Sequence, residues 1–431
     1  MYKNFPWIRN REFLITHSCG DFIIIFLISY LADVGYKIST LTGLSWIIFS
    51  YIIGKYSIYS KKKIIINFYY LIKELVIYLI HFSIFKLFLS LDISGSNIFQ
   101  IINKYTIFQI LFFLIINNII FHKNTKNYFL FIGDDENFTL CQNLIKDTNV
   151  KTNLFKYSEG VTFKKTNLIG IVTDKPYDNY DLKTNLYLKN LKKEGFIIYS
   201  LVDWAGAELQ NYPVDFLDDN TSFINQLTTI NKPFQYRFKK ASEFLISFIL
   251  LIFTAPIILV SALLIFLEDK GSVFYTQERD GLFGEKFTIL KLRTMKKNAE
   301  EKGIQWSKKN DNRITKVGSI LRKIRIDELP QLISVIKGDM NLIGPRPERR
   351  FFNKILEKEI PFYNLRHEVK PGISGWAQVN YPYGSSKLDS KIKLSFDLYY
   401  IKNFSNFLDL LILFKTIRLI LNARGSTTKN V

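Results

Sequence analysis

Apolar positions in this chain fall into long blocks near the start and short ones further on. Four long blocks, at about residues 13–36, 41–59, 64–91 and 98–121, each approach the roughly 20 residues that cross a bilayer as a helix. Asp21, Lys73, Glu74, His81 and Lys86 interrupt them. An ion inside an apolar span is a functional candidate by default, but Lys73 and Glu74 read better as packing or an interfacial helix start. From 126 to 229 the runs shorten. NYFLFIG (127–133), NLIGIVT (167–173) and GFIIYSLV (195–202) predict buried strands with helical stretches between them, the pattern of a small α/β domain. A fifth long run, 241–267, holds Ala255-Pro256 near its middle, and an interior proline kinks a helix. Beyond it, alternation over 286–293 predicts a strand with Lys291 and Arg293 on one face. At 404–421, Asp409, Lys415 and Arg418 break an apolar stripe, which suits a helix on the membrane surface or packed on the domain.

The loops orient the first four spans. Lys3, Arg9 and Arg11 precede the first, Lys61, Lys62 and Lys63 separate the second from the third, and His122, Lys123 and Lys126 follow the fourth. The two intervening loops hold only Lys37. By the positive-inside rule the amino end, the Lys61 loop and everything after 121 are expected on the cytoplasmic side. No cleavable signal peptide is expected, because the apolar segments are of span length and repeat.

Charge narrows the partners. The 431 residues carry a net charge of +20, which suits nucleic acid, anionic lipid or a phosphorylated substrate. No zinc finger, RNA-binding aromatic signature or bZIP pattern appears, so nucleic acid ranks last. Cys19 and Cys141 share no metal or redox spacing. The first strand ends in Gly133-Asp134-Asp135-Glu136 where a dinucleotide site needs glycines, and three carboxylates there would repel a pyrophosphate. The middle domain is therefore expected to be Rossmann-like without nucleotide binding, which argues against a nucleotide-sugar epimerase or dehydratase.

Residues 321–347, LRKIRIDELPQLISVIKGDMNLIGPRP, concentrate the chemistry. Asp327 and Glu328 follow Arg322, Lys323 and Arg325, and Arg346 sits in the turn Gly344-Pro345-Arg346-Pro347. Nearby positive charge is expected to keep Asp327 ionised, and an ionised carboxylate can attack phosphorus. Adjacent helical residues point about 100° apart, so the two carboxylates are expected to take different roles rather than share a proton. Pro330 suits the first turn of a new helix. Taken alone, these residues also fit a solvated helix start with acids matching the macrodipole, and Lys291 with Arg293 fits a diphosphate grip or a solvated sheet face equally well.

This stretch resembles the bacterial sugar transferase family, the polyprenyl-phosphate hexose-1-phosphate transferases. VFYTQERDGLFGEKFTILKLRTM (273–295), YNLRHEVKPGISGWAQVNY (363–381) and FDLYYIKNFSNFLDLLILFKTI (396–417) carry the resemblance with it, in the family's order. The resemblance implies transfer of a hexose 1-phosphate from a UDP-hexose to undecaprenyl phosphate, with UMP released, as the first step of exopolysaccharide, capsule or O-antigen synthesis. It makes Asp327 the nucleophile that forms a covalent phosphosugar. Glu328 then positions Mg2+ or assists proton removal, with Asp327 and Glu328 as metal ligands and Asp339 and Asp397 as lesser candidates. Arg322 and Arg346 neutralise phosphate, Lys291 and Arg293 contribute, and Gln378 is a candidate nucleotide or sugar contact. His367 is read as structural, and Trp376 as a core or interfacial anchor.

The expected architecture is a membrane protein of α plus α/β class. It has four transmembrane helices (1–125), a Rossmann-like accessory domain (126–230), a basic, aromatic approach (232–240) leading to a re-entrant helix within 231–268, and a membrane-associated catalytic domain (269–431). The family commonly places serine before the kink proline, where this chain has Ala255, so Thr254 or Ser247 is left to supply a hydroxyl; a fifth crossing is the alternative. The resemblance places the protein in the bacterial inner membrane with its catalytic domain cytoplasmic. A homo-oligomer and other polysaccharide-assembly proteins are candidate partners, glucose and galactose are the favoured sugars, and a non-catalytic assembly scaffold is the rival function.

Overall fold

The computed structural model describes residues 12–31, 36–53, 127–148, 152–158, 165–176, 179–217, 233–299, 311–381 and 386–421, with isolated positions between 55 and 112 and at 303 and 384. Its packing divides the chain into two units, Met1–Leu209 and Gln210–Val431.

In the first unit, helices α1 (Glu12–Leu31) and α2 (Tyr36–Ile53) form within the first two apolar blocks. Asp21 is buried, and its Oδ2 accepts from the equally buried Lys55 at 2.6 Å, which neutralises the charge within apolar surroundings. The third and fourth blocks, apart from isolated helical positions, and the Lys61 loop lie outside the described residues. The α/β part runs β1 (Tyr128–Ile132), α3 (Asp135–Thr148), β2 (Leu154–Lys156), β3 (Leu168–Thr173), α4 (Leu182–Lys193) and β4 (Ile197–Ser200). The strands make one parallel sheet in the order β2-β1-β3-β4. Strand β1 is apolar at every position because a central parallel strand is covered on both faces, and Phe129, Leu130 and Phe131 are fully buried. The three-residue β2 was not expected from sequence. At the start of α3, where a phosphate would dock on a Rossmann-type sheet, Asp174 already accepts from the Asp134 N–H (2.7 Å) and from Asn137 Nδ2 (3.3 Å).

The second unit is built on α5 (Pro233–Asp269), a 37-residue helix about 55 Å long at 1.5 Å per residue. Of the helices described, it is the one long and apolar enough to cross a membrane, and only 11% of its apolar window is buried, unlike a core helix. Pro256 lies inside it, and Thr254 Oγ1 donates back to the Leu250 carbonyl at 2.7 Å, a bond that bends helices. Ser247 Oγ is buried without a hydrogen-bond partner. The hairpin β5 (Phe274–Asp280) and β6 (Lys286–Leu292) follows, pairing Tyr275 with Lys291 and Arg279 with Phe287. Ile265 of α5 packs with Leu292 and Leu321 in one apolar cluster. Then come α6 (Lys316–Lys323), a 3-10 turn (Ile326–Gln331), α7 (Leu332–Lys337), β7 (Asn341–Ile343), α8 (Arg350–Glu359), β8 (Gly372–Ser374), α9 (Trp376–Asn380), α10 (Lys387–Lys402) and α11 (Asn406–Leu421). Strands β7 and β8 pair in parallel. A Cβ on Gly372 would lie 2.1 Å from the Gly344 nitrogen, so the two glycine turns approach only because neither carries a side chain.

Residues 210–217 belong to this second unit rather than to the α/β domain: Trp376 Nε1 donates to Gln210 O (2.9 Å), and the Tyr212 N–H donates to Ser395 O (2.9 Å). Trp376 is 1% exposed and stacks on Tyr399, which makes it a core anchor. The end of the chain, α11, packs on the domain through Leu408 and Ile412 and leaves Phe407 and Leu421 exposed.

Both ends of α5 are bonded to the same unit. Near its start, Lys239 Nζ donates to Glu243 Oε1 (2.6 Å), Asp409 Oδ2 (2.7 Å) and Ile343 O (3.0 Å), while Glu243 Oε1 accepts from the Ile343 N–H (3.1 Å). At its end, Asp269 grips Arg293, and Glu268 accepts from the Lys316 N–H (2.8 Å). Lys239 is 4% exposed, so Lys239→Met strands two carboxylates away from water. Thermal unfolding of the detergent-solubilised protein should show a loss of about 3–5 kcal/mol; a loss below about 1 kcal/mol, typical of a surface pair, would contradict the clamp.

Candidate active site

Thr315 caps α6 by accepting from the Gly318 N–H, and the helix delivers Arg322 on its last turn. The chain then reverses through Arg325, whose φ of +63° lies in the left-handed region that non-glycine residues adopt at a cost. That reversal starts the 3-10 turn carrying Asp327 and Glu328, both buried. Pro330 falls inside this turn, two residues ahead of α7, so the carboxylates sit at a helix junction. Gly338, with φ of +86°, ends α7 and turns the chain into β7. Three residues past β7 comes Arg346.

These elements converge on Glu328. Its Oε1 accepts from Arg346 Nη2 (2.6 Å) and Lys291 Nζ (3.0 Å), and its Oε2 accepts from Arg325 Nη1 (3.1 Å). Burial opposes ionisation there, yet Arg346, Lys291 and Arg325 together hold the carboxyl well below the usual carboxylate range. Asp327 has the opposite fate. Its Oδ1 is buried with no hydrogen-bond partner. Burial first, and the charge of Glu328 second, push it up to about 6 against Lys291, Arg322 and Arg325. Asp327 is therefore mainly ionised at neutral pH, as expected from the basic run, but by a narrow margin: burial and the charge of Glu328 oppose Lys291, Arg322 and Arg325.

The other sequence candidates divide. Arg322 has a buried Nη1 without a hydrogen-bond partner and lies close enough to favour the charged form of Asp327. Arg293 sits apart, forked onto Asp269 (2.5 Å to each oxygen). Gln378 Nε2 donates to Ile373 O (3.1 Å), and its Oε1 is buried without a partner. Asp397 is 1% exposed and accepts from Arg366 Nη2 (2.9 Å), which also donates to the Arg346 carbonyl (2.8 Å), so Asp397 steadies the backbone of Arg346. Asp339 is exposed on the turn after α7. His367 is pushed down to about 4 by burial and then by Arg366, so it is neutral at pH 7 and a weak base. Among the described residues, no cluster of three or more His, Cys, Asp or Glu is arranged to hold a metal.

Sequence reasoning missed Arg279. It lies on the face of β5 that also carries Tyr275 and Gln277, with Lys291 opposite Tyr275. Its Nη2 donates to Gln277 Oε1 (2.7 Å), its Nε is buried without a partner, and a backbone bridge ties it to Arg349. Burial, with Arg346 and Arg349 nearby, lowers it to about 10, against the pull of Glu348. The alternation Tyr275, Gln277, Arg279 was the available signal.

A buried carboxylate pair, one member neutralised and the other with an oxygen that accepts no hydrogen bond, amid part-buried cations suits phosphoryl chemistry. The family model described as bacterial sugar transferase matches residues 234–423, which is the second unit almost from end to end. The chain is 40% identical over 196 residues to the uncharacterized sugar transferase EpsL of Bacillus subtilis (strain 168), a match covering 44% of this chain and 91% of that protein. It is 48% identical over 203 residues to the UDP-N-acetylgalactosamine-undecaprenyl-phosphate N-acetylgalactosaminephosphotransferase of Aeromonas hydrophila (47% of this chain, 48% of that one). It is 38% identical over 181 residues to the UDP-glucose:undecaprenyl-phosphate glucose-1-phosphate transferase of Escherichia coli (strain K12) (42% and 39%). The chain belongs to the bacterial sugar transferase family. It spans about half, or less, of the length of the Aeromonas hydrophila and Escherichia coli relatives.

The raised Asp327 has a consequence for stability. A carboxyl at about 6 in the folded protein, against an ordinary 3.8, costs nothing below pH 3.8 and its full penalty above pH 6. Asp327→Asn should therefore match the wild type in stability near pH 3.5 and exceed it by about 3 kcal/mol at pH 8, at 1.4 kcal/mol per unit. Unfolding midpoints at the two pH values measure this, and a pH-independent difference would contradict it.

Proposed function

We propose that the protein transfers a sugar 1-phosphate from a UDP-sugar to undecaprenyl phosphate, releasing UMP, at the cytoplasmic face of the inner membrane. The observation that carries this reading is the unlike state of two adjacent buried carboxylates. An Asp327 oxygen attacks the sugar-side phosphorus of the donor, and the bond from that phosphorus to the UMP oxygen breaks. UMP departs and leaves the sugar phosphate on Asp327 as an acyl phosphate. An oxygen of the lipid phosphate then attacks the same phosphorus, which frees the Asp327 carboxylate and forms the lipid diphosphate-sugar.

The remaining groups position and neutralise. Arg322, Arg279 and Lys291 face added negative charge, and a phosphate beside Asp327 would satisfy the buried Arg322 Nη1. Arg346 fixes Glu328, and through it the turn that aims Asp327. Both oxygens of Glu328 already accept from cations, whereas the buried Asp327 Oδ1 accepts no hydrogen bond. That donor set leaves Asp327 as the carboxylate that would contact Mg2+ carried by the substrate phosphates, and the metal would supply charge neutralisation. The bonding of both ends of α5 to one unit supports a helix that enters and leaves by one face, which sets the site at the level of a lipid phosphate. The four amino-terminal spans and the accessory role of the α/β domain belong to the same reading.

Membranes containing the protein, with Mg2+ and undecaprenyl phosphate, should release UMP from at least one of UDP-glucose, UDP-galactose and UDP-N-acetylgalactosamine. Asp327→Asn should lower that rate about 10³-fold or more. Arg279→Met should cost about 10–100-fold in kcat/KM for the donor, the worth of a hydrogen bond to a charged group. Equal release by wild type and Asp327→Asn would remove Asp327 from its role, and no release across the donor panel would favour the scaffold.

A further inference from the structure

A second feature of the catalytic unit lies away from the carboxylates. The tip of the β5–β6 hairpin, the first turns of α5 and the segment before β8 enclose a cavity of about 310 Å3, at the small end of the range for ligand sites. Its wall is apolar: Leu282, Phe283, Val369 and Phe404 line it. Lys239 and Tyr400 line it too, but their polar atoms are spent on Ile343 and Asp409. Lys370 at the edge donates to the Gly338 carbonyl (2.6 Å). Of the rim charges that leaves Glu368 and Arg237, and among the described residues Arg237 makes no hydrogen bond or ion pair.

Tyr236 and Phe283 bring exposed aromatic rings to the cavity. Phe283 holds a left-handed φ of +52° and is 65% exposed, so its strain returns no packing inside the protein. Phe234 and Phe238, on the first turns of α5, are 78% and 55% exposed. Aromatic side chains beside a basic helix start suit the headgroup level of a bilayer. None of the groups gathered around Asp327 and Glu328 lines this cavity: Lys291, Arg322, Arg325 and Arg346 are all absent from its wall.

We propose that this cavity takes one acyl chain of an anionic phospholipid, with the headgroup phosphate at Arg237, as a docking site separate from the reacting carboxylates. The proposal rests on α5 being membrane-inserted, and its test does not use catalysis. The full-length Phe283→Trp variant is placed in phosphatidylcholine vesicles, with the fluorescence of the parent protein subtracted. Brominated-acyl phosphatidylglycerol should quench the new tryptophan at a mole fraction about fivefold lower than brominated phosphatidylcholine does, since one surface arginine is worth about 1 kcal/mol. Adding Arg237→Glu should abolish that preference, and adding the cavity-filling Val369→Phe should weaken quenching by both lipids. Equal quenching by the two lipids at every mole fraction would mean only general bilayer contact and overturn the proposal. Displacement of the brominated lipid by stoichiometric undecaprenyl phosphate, but not by the same amount of phosphatidylglycerol, would also overturn it by assigning the cavity to the acceptor.

Discussion

Glu328 is the point on which the catalytic unit depends. A carboxylate buried in protein is unstable unless its lone pairs are filled, and here they are filled by cations from three separate elements: Lys291 from β6, Arg325 from the reversal after α6, and Arg346 from the turn after β7. One side chain thus ties the hairpin, the 3-10 turn and the glycine turn together. The same contacts draw the nearest hydrogen-bond donors away from Asp327. It is left with an oxygen that accepts no hydrogen bond and a pKa close to the working range, which suits a nucleophile better than a salt-bridged carboxylate would.

Support for that centre comes from the two ends of α5 and from Asp397. Lys239 and Glu243 hold both the N–H and the C=O of Ile343, three residues before Arg346. Asp397, through Arg366, holds the carbonyl of Arg346 itself. The helix most suited to the membrane and the arginine that orders Glu328 are therefore mechanically joined through one short strand. Moving the helix would move the charge balance of the site.

Much of this was legible in the sequence. The run YFLFI is a strand because a central parallel strand covered on both faces needs unbroken apolar positions, and LIGIVT and IIYS were legible as short, β-branched apolar runs, whereas LFK, at three residues, is too short for any periodicity to register. Asp327 and Glu328 were legible as a pair with different roles. Which of them the cations would serve was not, because that depends on the left-handed turn at Arg325 and on Lys291 and Arg346, which lie 37 and 18 residues from Glu328. Lys291 and Arg293 share a strand face by spacing, yet Asp269 at the end of α5 claims Arg293. Arg279 escaped notice because alternation shows that a face exists, not what it faces. Residues 210–217 read as part of the middle domain because composition does not change there, and only their bonds to Ser395 and Trp376 reassign them.

The central claim is that Glu328 is held by cations so that Asp327 can carry the sugar phosphate. The most direct measurement is mass spectrometry of the acid-quenched protein after exposure to donor with the lipid acceptor left out, followed by peptide mapping. The account predicts a sugar-phosphate adduct on the peptide containing Asp327, lost when undecaprenyl phosphate is added before the quench. An adduct on any other residue, or UMP release that needs both substrates at once and leaves no adduct, would contradict it.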